Sequence, residues 1–262
     1  MLEIIGLILI GFGVGTYASL VGVGGGIALV PVLLLLYHQT PQGATGISLA
    51  VIFFNAVSAS LAYGRKKRID YRTGLSFAIG SIPGAIMGAS VVAYIPRNIF
   101  SGVFGILLIS LATSILLRPE KRLNKQGNTN EIETSNEGIL PQHPVLGFLL
   151  GLVIGFVASL LGIGGGVIYV PVLMYLLHFT VRGAVATSLF IIAIMALGGA
   201  MTHLFKGVYT GFFHIIALLA IGSITGAQLG AKLSDFLKGR IIIRCFALAL
   251  LAVGIKLFTE FL

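Results

Sequence analysis

The chain has 262 residues, of which 57% are hydrophobic and only 10% are charged, and its mean hydropathy is +1.05. Since soluble domains carry about 25% charged residues, the composition excludes an ordinary soluble domain and predicts an all-α integral protein of the lipid bilayer. The net charge of +9 is interpreted as loop bias and contact with anionic lipid, and no nucleic-acid partner is expected.

Long apolar runs predict membrane-spanning helices, because a span needs roughly 17–25 residues. In chain order they are 4–21, 44–62, 73–94, 98–117, 144–161, 184–204, 211–231 and 241–259. Two shorter apolar segments, Ile27–Tyr37 and Val167–Leu177, follow glycine triplets, and such a helix would rise only about 16 Å, roughly half the hydrocarbon thickness. The polar stretch between the halves predicts a cytoplasmic linker, so the expected domains are 1–117, 118–143 and 144–262.

The two halves repeat one another. Residues 18–49 and 158–189 align without a gap, and 18 of these 32 positions are identical. A duplicated half in an apolar chain is typical of transporters built from two structural repeats, with the binding site where the repeats meet. We therefore predict two homologous repeats, each of four long spans plus one short half-helix.

The topology depends on whether the short segments cross the membrane. If they cross, each half has five spans and the second half is inverted; if they are re-entrant, each half has four spans and both run the same way. Counting Lys and Arg gives 14 inside against 3 outside for the first arrangement, and 11 against 6 for the second. The positive-inside rule favours the inverted five-plus-five arrangement, in which the first glycine turn lies toward the cytoplasm and the second toward the outside.

The glycine turns are the first candidate site. Three successive glycines end a helix and allow left-handed backbone angles, and the next helix starts with unpaired N–H groups and a partial positive charge, which suit an anion. The alternative is a tight helix crossing without a ligand. The turn residues predicted to bind substrate are Gly22, Gly24, Gly25, Gly26, Gly162, Gly164, Gly165 and Gly166.

Polar residues inside apolar runs are the second set of candidates, because each needs a hydrogen-bond partner in lipid. They are Ser19, Thr45, Ser48, Asn55, Ser159, Thr187, Ser188 and Gln228. For the Ser and Thr residues the alternative is a bond to their own helix. His38 and His178 follow the short helices and are candidates for gating or proton transfer, although histidines there also cap helix ends.

Other chemistry is not indicated. The single Cys, Cys245, and the scattered His residues form no metal-ligand spacing, so neither a metal, a cofactor nor an enzymatic site is expected. All acidic residues lie at span ends, in loops or in the linker, which argues against a cation as substrate because cation carriers keep a carboxylate within the membrane.

The motif G-x-G-G-G-x-x-x-x-P, present at Gly22–Pro31 and again at Gly162–Pro171, resembles the TauE/SafE-type sulfite exporter family over about residues 3–260. The resemblance implies a cell-membrane permease for small sulfur-containing anions such as sulfite, thiosulfate, sulfoacetate or other organosulfonates. It also implies oxygens held by N–H groups at Gly24–Ile27 and Gly164–Val167, and export of the anion. A carrier for another small anion, such as a carboxylate, and a channel are the open alternatives.

Overall fold

The computed structural model describes residues 2–117, 144–234, 251 and 253–259, and within these ranges the chain forms helices and turns without a β-strand. The predicted linker 118–143 and most of the last predicted span, 241–259, lie outside the described residues. The helices are α1 (Leu2–Val21), α2 (Gly26–Leu35), α3 (Pro41–Arg65), α4 (Tyr71–Val91), α5 (Arg97–Leu117), α6 (Pro144–Leu161), α7 (Gly166–Tyr175), α8 (Val181–Phe205) and α9 (Phe213–Leu233). A short 3₁₀ turn, Val92–Tyr94, follows α4.

Five of these helices are long and apolar enough to cross a membrane: α1, α3, α4, α8 and α9. The prediction of an all-helical membrane protein is therefore confirmed. The two short helices are also present, each ten residues long, so each rises only about 15 Å. They begin at the third glycine of each triplet, Gly26 and Gly166, one residue before the predicted starts.

The starts of the long helices follow from their capping residues. The hydroxyl of Thr40 accepts a hydrogen bond from the Gly43 N–H at 3.1 Å, just before Pro41 opens α3. Thr180 does the same for α8 through the Gly183 N–H. The Asp70 carboxylate accepts from the first turn of α4. Such oxygens satisfy N–H groups that have no partner within the helix.

The described helices group into two compact units: one contains α1–α4 and α6–α9, and the other contains α5 and residues 253–259. The second unit contains α5, in which the rings of Phe100 and Phe104 stack at 5.7 Å. There, a Cβ at Gly105 would lie 2.9 Å from the Gly254 carbonyl oxygen, so the two helical segments approach closely. Both units draw on residues before and after the linker.

Glycine rows bring two helix pairs of the first unit into backbone contact. A Cβ at any of three glycines of α4 would collide with a carbonyl oxygen of α6, and α9 meets α1 in the same way. The rows are Gly80, Gly84 and Gly88 against Phe148, Leu152 and Phe156, and Gly222, Gly226 and Gly230 against Ile8, Phe12 and Thr16. These glycines therefore serve helix packing, since small residues allow close helix approach in lipid.

Helices α3 and α8 are the most deeply buried of the five long helices. They pack against each other and are joined by the α2–α3 and α7–α8 turns to the two short helices. The polar side chains of the candidate site therefore lie inside the helix assembly, where each needs a protein partner.

Replacing Gly226 with Ala should destabilise the protein by about 1–3 kcal/mol, the usual effect of overpacking, because the added methyl meets the Phe12 carbonyl. Gly13→Ala is the control, since Gly13 lies on the partner helix and has nothing within 4 Å of a Cβ. Thermal melting of the purified protein in detergent, followed by helical circular dichroism, measures both. Equal melting temperatures for the two variants would contradict the packing role.

Candidate functional site

Each glycine turn contains three glycines with left-handed backbone angles. The φ values are +77°, +88° and +84° at Gly22, Gly24 and Gly25. They are +66°, +82° and +76° at Gly162, Gly164 and Gly165. Only glycine adopts such angles without a steric penalty, so the sequence requires a sharp break between α1 and α2 and between α6 and α7.

The two turns lie in direct contact. A Cβ on Gly24 would be 3.3 Å from the Gly164 Cα, and one on Gly26 would collide with the Gly162 carbonyl oxygen. In the same way, a Cβ on Gly166 would collide with the Gly22 carbonyl oxygen. Turns that touch lie close together inside the helix assembly; the expectation that the first faces the cytoplasm and the second the outside stays a prediction.

A pair of serines fixes this contact. The Ser48 hydroxyl donates to the Gly162 carbonyl at 2.7 Å, and the Ser188 hydroxyl donates to the Gly22 carbonyl at 3.1 Å. Each turn is thus held by a serine from the other half of the chain. Ser188 also donates to Val185 within its own helix at 2.9 Å. Its single hydroxyl proton is therefore shared between the turn carbonyl and its own helix.

The start of each short helix carries unused donors. Within the described part of the chain, the N–H groups of Gly26 and Ile27, and likewise those of Gly166 and Val167, have no hydrogen-bond partner. The next N–H groups, of Ala28 and Leu29, fold back onto the Gly25 carbonyl at 3.2 Å. Two helix N-termini with free donors therefore lie side by side, and their dipoles add a partial positive charge in a buried place.

Asn55 lies close to the turns and joins three helices. Its Nδ2 donates to the Gly15 carbonyl of α1 at 3.2 Å and to the Ser223 carbonyl of α9 at 3.1 Å. Its Oδ1 is buried and has no partner among the described residues. The residue 140 positions later is Met195, which is fully buried, so this polar link exists in one half only.

Four other predicted residues use their polar atoms for helix contacts. The Ser19 hydroxyl donates to the Ala227 carbonyl at 2.9 Å, and Thr45 donates back to Pro41 at 2.9 Å. The Thr187 hydroxyl accepts from the Asp70 N–H at 3.1 Å. Gln228 donates to both oxygens of Ser58 at 2.8 Å.

The remaining predicted residues differ in environment. Ser159 is fully buried, and its hydroxyl has no partner within the described ranges. His38 and His178 are exposed, with φ of +49° and +56°, and follow the C-terminal ends of the short helices. A ten-residue helix places them about 15 Å from the turns. The structure does not bring these two histidines to the glycine turns.

Sequence reasoning missed two residues that support the site. Tyr63 is buried and donates its hydroxyl to the Ser19 carbonyl at 3.0 Å, although its place near the end of an apolar run suggests an interface residue. Ser58, the partner of Gln228, also donates to the Ile224 carbonyl at 3.0 Å. A serine on an otherwise apolar helix face is the only signal for it. Among the described residues no group of three His, Cys, Asp or Glu side chains could hold a metal.

Several membrane-crossing helices surround two broken helices whose N-termini meet, and this arrangement is that of a multi-pass membrane transporter. The TauE/SafE sulfite exporter model matches residues 7–257, so the chain belongs to that family. It is 35% identical to the probable membrane transporter protein YunE of Bacillus subtilis, with 97% of both chains covered.

A second relative, the probable membrane transporter protein MJ0441 of Methanocaldococcus jannaschii, is 31% identical over 87% of this chain and 85% of its own. YdhB of Bacillus subtilis, with the same description, is 26% identical over 88% of this chain and 90% of its own. No solved structure matches the chain. The family and these names indicate a membrane transporter.

Replacing Asn55 with Met, the residue at the equivalent position of the other half, should destabilise the protein by about 1 kcal/mol, typical of a polar link between membrane helices. The reason is the loss of the bonds to Gly15 and Ser223. Phe54→Met is the control, because Phe54 is the adjacent residue and is 41% exposed. Both variants are melted in detergent and followed by helical circular dichroism. Equal melting temperatures would contradict the stabilising role of the Asn55 hydrogen bonds.

Proposed function

We propose that this protein exports small sulfur oxyanions, such as sulfite, thiosulfate, sulfoacetate or other organosulfonates, and that the two glycine turns hold the anion. The observation that carries the proposal is the contact between two helix N-termini with unpaired N–H groups. Such donors bind an oxyanion without a charged side chain. The family name supplies the sulfur chemistry.

The buried side chains fit an anionic substrate. Across the described residues, the buried polar side chains are Ser, Thr, Asn and His, with no Asp, Glu, Lys or Arg. A cation pathway would require a buried carboxylate. A membrane potential that is negative inside drives a monovalent anion outward with about 2.3 kcal/mol per 100 mV, so export needs no further energy source.

We also propose that the halves are inverted repeats of five crossings each, related by a pseudo-two-fold axis through the touching turns. The support is the recurrence of contacts: Ser48 and Ser188 reach each other's turns, and the glycine rows of α4 and α9 meet the first helix of the opposite half. An axis in the membrane plane inverts one half relative to the other, and the distribution of Lys and Arg favours it.

Two crossing half-helices that meet at mid-depth suit alternating access. In the present conformation Gly22–Ile27 and Gly162–Gly166 are buried, so the N–H groups are closed off from water. Movement of one half against the other would open the turns to one side at a time. In the open state water would bind the N–H groups, and the anion would replace that water.

The functional test is flux of labelled sulfite, thiosulfate and sulfoacetate into liposomes that contain the purified protein, with the imposed potential varied. Saturable flux that follows the potential is the expected result, with acetate, chloride and phosphate as weak competitors. Strong competition by acetate would instead favour a carboxylate carrier, since backbone N–H donors also suit carboxylates. Absence of flux of every sulfur anion under every potential would overturn the proposal.

Gly25→Ala and Gly165→Ala should each lower sulfur-anion flux by at least about tenfold, the effect of about 1.4 kcal/mol. A Cβ at Gly25 would lie 2.9 Å from Val14, and one at Gly165 would lie 2.8 Å from the Tyr169 ring, so the helix starts must shift. Gly211→Ala is the matched control. Gly211 has a φ of +86° but nothing within 4 Å of a Cβ, so it carries the same backbone strain away from the turns. If the control loses as much flux as the turn variants, the glycine site is wrong.

A further inference from the structure

One apolar cluster is built around Tyr63, between α3, α8 and α9, and we call it the Tyr63 cluster. Its members are Ala59, Tyr63, Ile69, Val185, Ala186, Leu189, Ala227 and Ala231, all buried. The hydroxyl of Tyr63 donates to the Ser19 carbonyl at 3.0 Å, and the Ser19 hydroxyl donates to Ala227 at 2.9 Å. Its polar atoms are therefore paired, as a dry interior requires.

At five of the eight positions, the residue 140 positions away is smaller or more polar, whereas Leu189, Ala227 and Ala231 correspond to Leu49, Met87 and Val91. We call the five smaller or more polar residues the His203 cluster. Ala59, Tyr63 and Ile69 become Gly199, His203 and Tyr209, whereas Val185 and Ala186 become Thr45 and Gly46. The change is the same in character at every one of these five positions: volume is lost or a polar group is gained.

The His203 cluster is also assembled in space. A Cβ at Gly46 would lie 3.1 Å from the His203 ring, and the Tyr209 hydroxyl lies 3.2 Å from the Gly46 carbonyl. A Cβ at Gly199 would lie 2.8 Å from the Ser159 hydroxyl oxygen. Gly199 and His203 are four residues apart on α8, so they lie on one helix face. Ser159 and His203 therefore border the same strip between α8 and its neighbours.

Three buried polar atoms of this strip are unpaired among the described residues. Both His203 ring nitrogens and the Ser159 hydroxyl are buried and have no hydrogen-bond partner in the described part of the chain, whereas their counterparts Tyr63 and Ser19 are paired. Leaving such groups unpaired costs about 1–3 kcal/mol each. His203 has a shorter imidazole where the other half has the phenol of Tyr63, and Gly199 stands where the other half has Ala59. Ser159 and His203 therefore lack the contacts that close the Tyr63 cluster.

We propose that the His203 cluster lines the aqueous pathway, where Ser159 and His203 contact the passing oxyanion, and that the Tyr63 cluster is a dry seal. The identity of the anion rests on the proposed function; the hydration does not. The donor set points to an anion: a serine hydroxyl and an imidazole N–H, with Lys206 following on the same chain segment. The nearby titratable groups are Tyr209, whose hydroxyl bonds Gly46 and Ala200, and Lys206, which donates to the Ser90 carbonyl at 3.2 Å.

The test compares two serines in equivalent places. Ser159→Cys and Ser19→Cys are made in a Cys245→Ser background, and the proteins are placed in lipid nanodiscs, where both membrane faces meet solution. A hydrophilic, cationic methanethiosulfonate is added, and labelling is followed by intact mass. We expect Cys at 159 to react at least about tenfold faster, because thiol reactivity requires exposure to water. Sulfoacetate should slow that reaction, and acetate should not.

Equal rates at the two positions, or slower labelling at 159, would overturn the proposed pathway. Faster labelling at 159 without protection by sulfoacetate would overturn the anion contact. Because labelling does not require transport, it separates the two proposals: asymmetric labelling with no sulfur-anion flux would reject the substrate alone, whereas flux with symmetric labelling would reject the pathway alone.

A second pair of variants does not depend on cysteine. Exchanging Gly199→Ala together with His203→Tyr gives this region the residues of the Tyr63 cluster, and we expect flux to fall by at least about tenfold, equivalent to about 1.4 kcal/mol. Phe54→Met is the control; Phe54 is 41% exposed and lies outside both clusters, so flux per folded protein should stay unchanged. Unchanged flux in the double variant, with an intact helical spectrum, would overturn the proposal.

Discussion

The controlling constraint is that lipid offers no hydrogen bonds to the backbone, so a helix broken inside the membrane must be covered by protein. Both glycine triplets break a helix, and each break exposes carbonyl and N–H groups. The structure covers one break with the other and directs Ser48 and Ser188 at two of the carbonyls. The N–H groups at the helix starts remain unpaired, and these are the donors that we propose hold the anion.

The recurring contacts and the few exceptions have different meanings. Contacts that recur at the same interval, such as the glycine rows and the serine bridges, hold the helices together in both halves. There are two exceptions. Asn55 is polar, whereas its counterpart Met195 is not. The Tyr63 hydroxyl has a hydrogen-bond partner, whereas the ring nitrogens of its counterpart His203 have none among the described residues. At these positions a route along one half would meet different side chains from a route along the other half.

The sequence predicted much of the fold because its signals are local. Apolar length gives the spans, and the triplets mark the breaks. It could not place the two turns against each other, because that contact joins residues 140 apart and leaves no local pattern. For the same reason it offered Ser48 and Ser188 as ligands but not as bridges. Tyr63 was missed because a tyrosine near a span end is usually an interface residue.

The exchange of serines between halves bears on how the chain is made. The turn of the first half is complete only after Ser188 has been synthesised and α8 has entered the membrane. Until then the Gly22 carbonyl lacks its bond from Ser188. The glycine row of α4 likewise lacks its partner helix until α6 has been made. Insertion and folding are therefore separate steps, because the helices of the first half enter the membrane before their partners in the second half. A chain that ends after its first half has neither Ser188 nor α6.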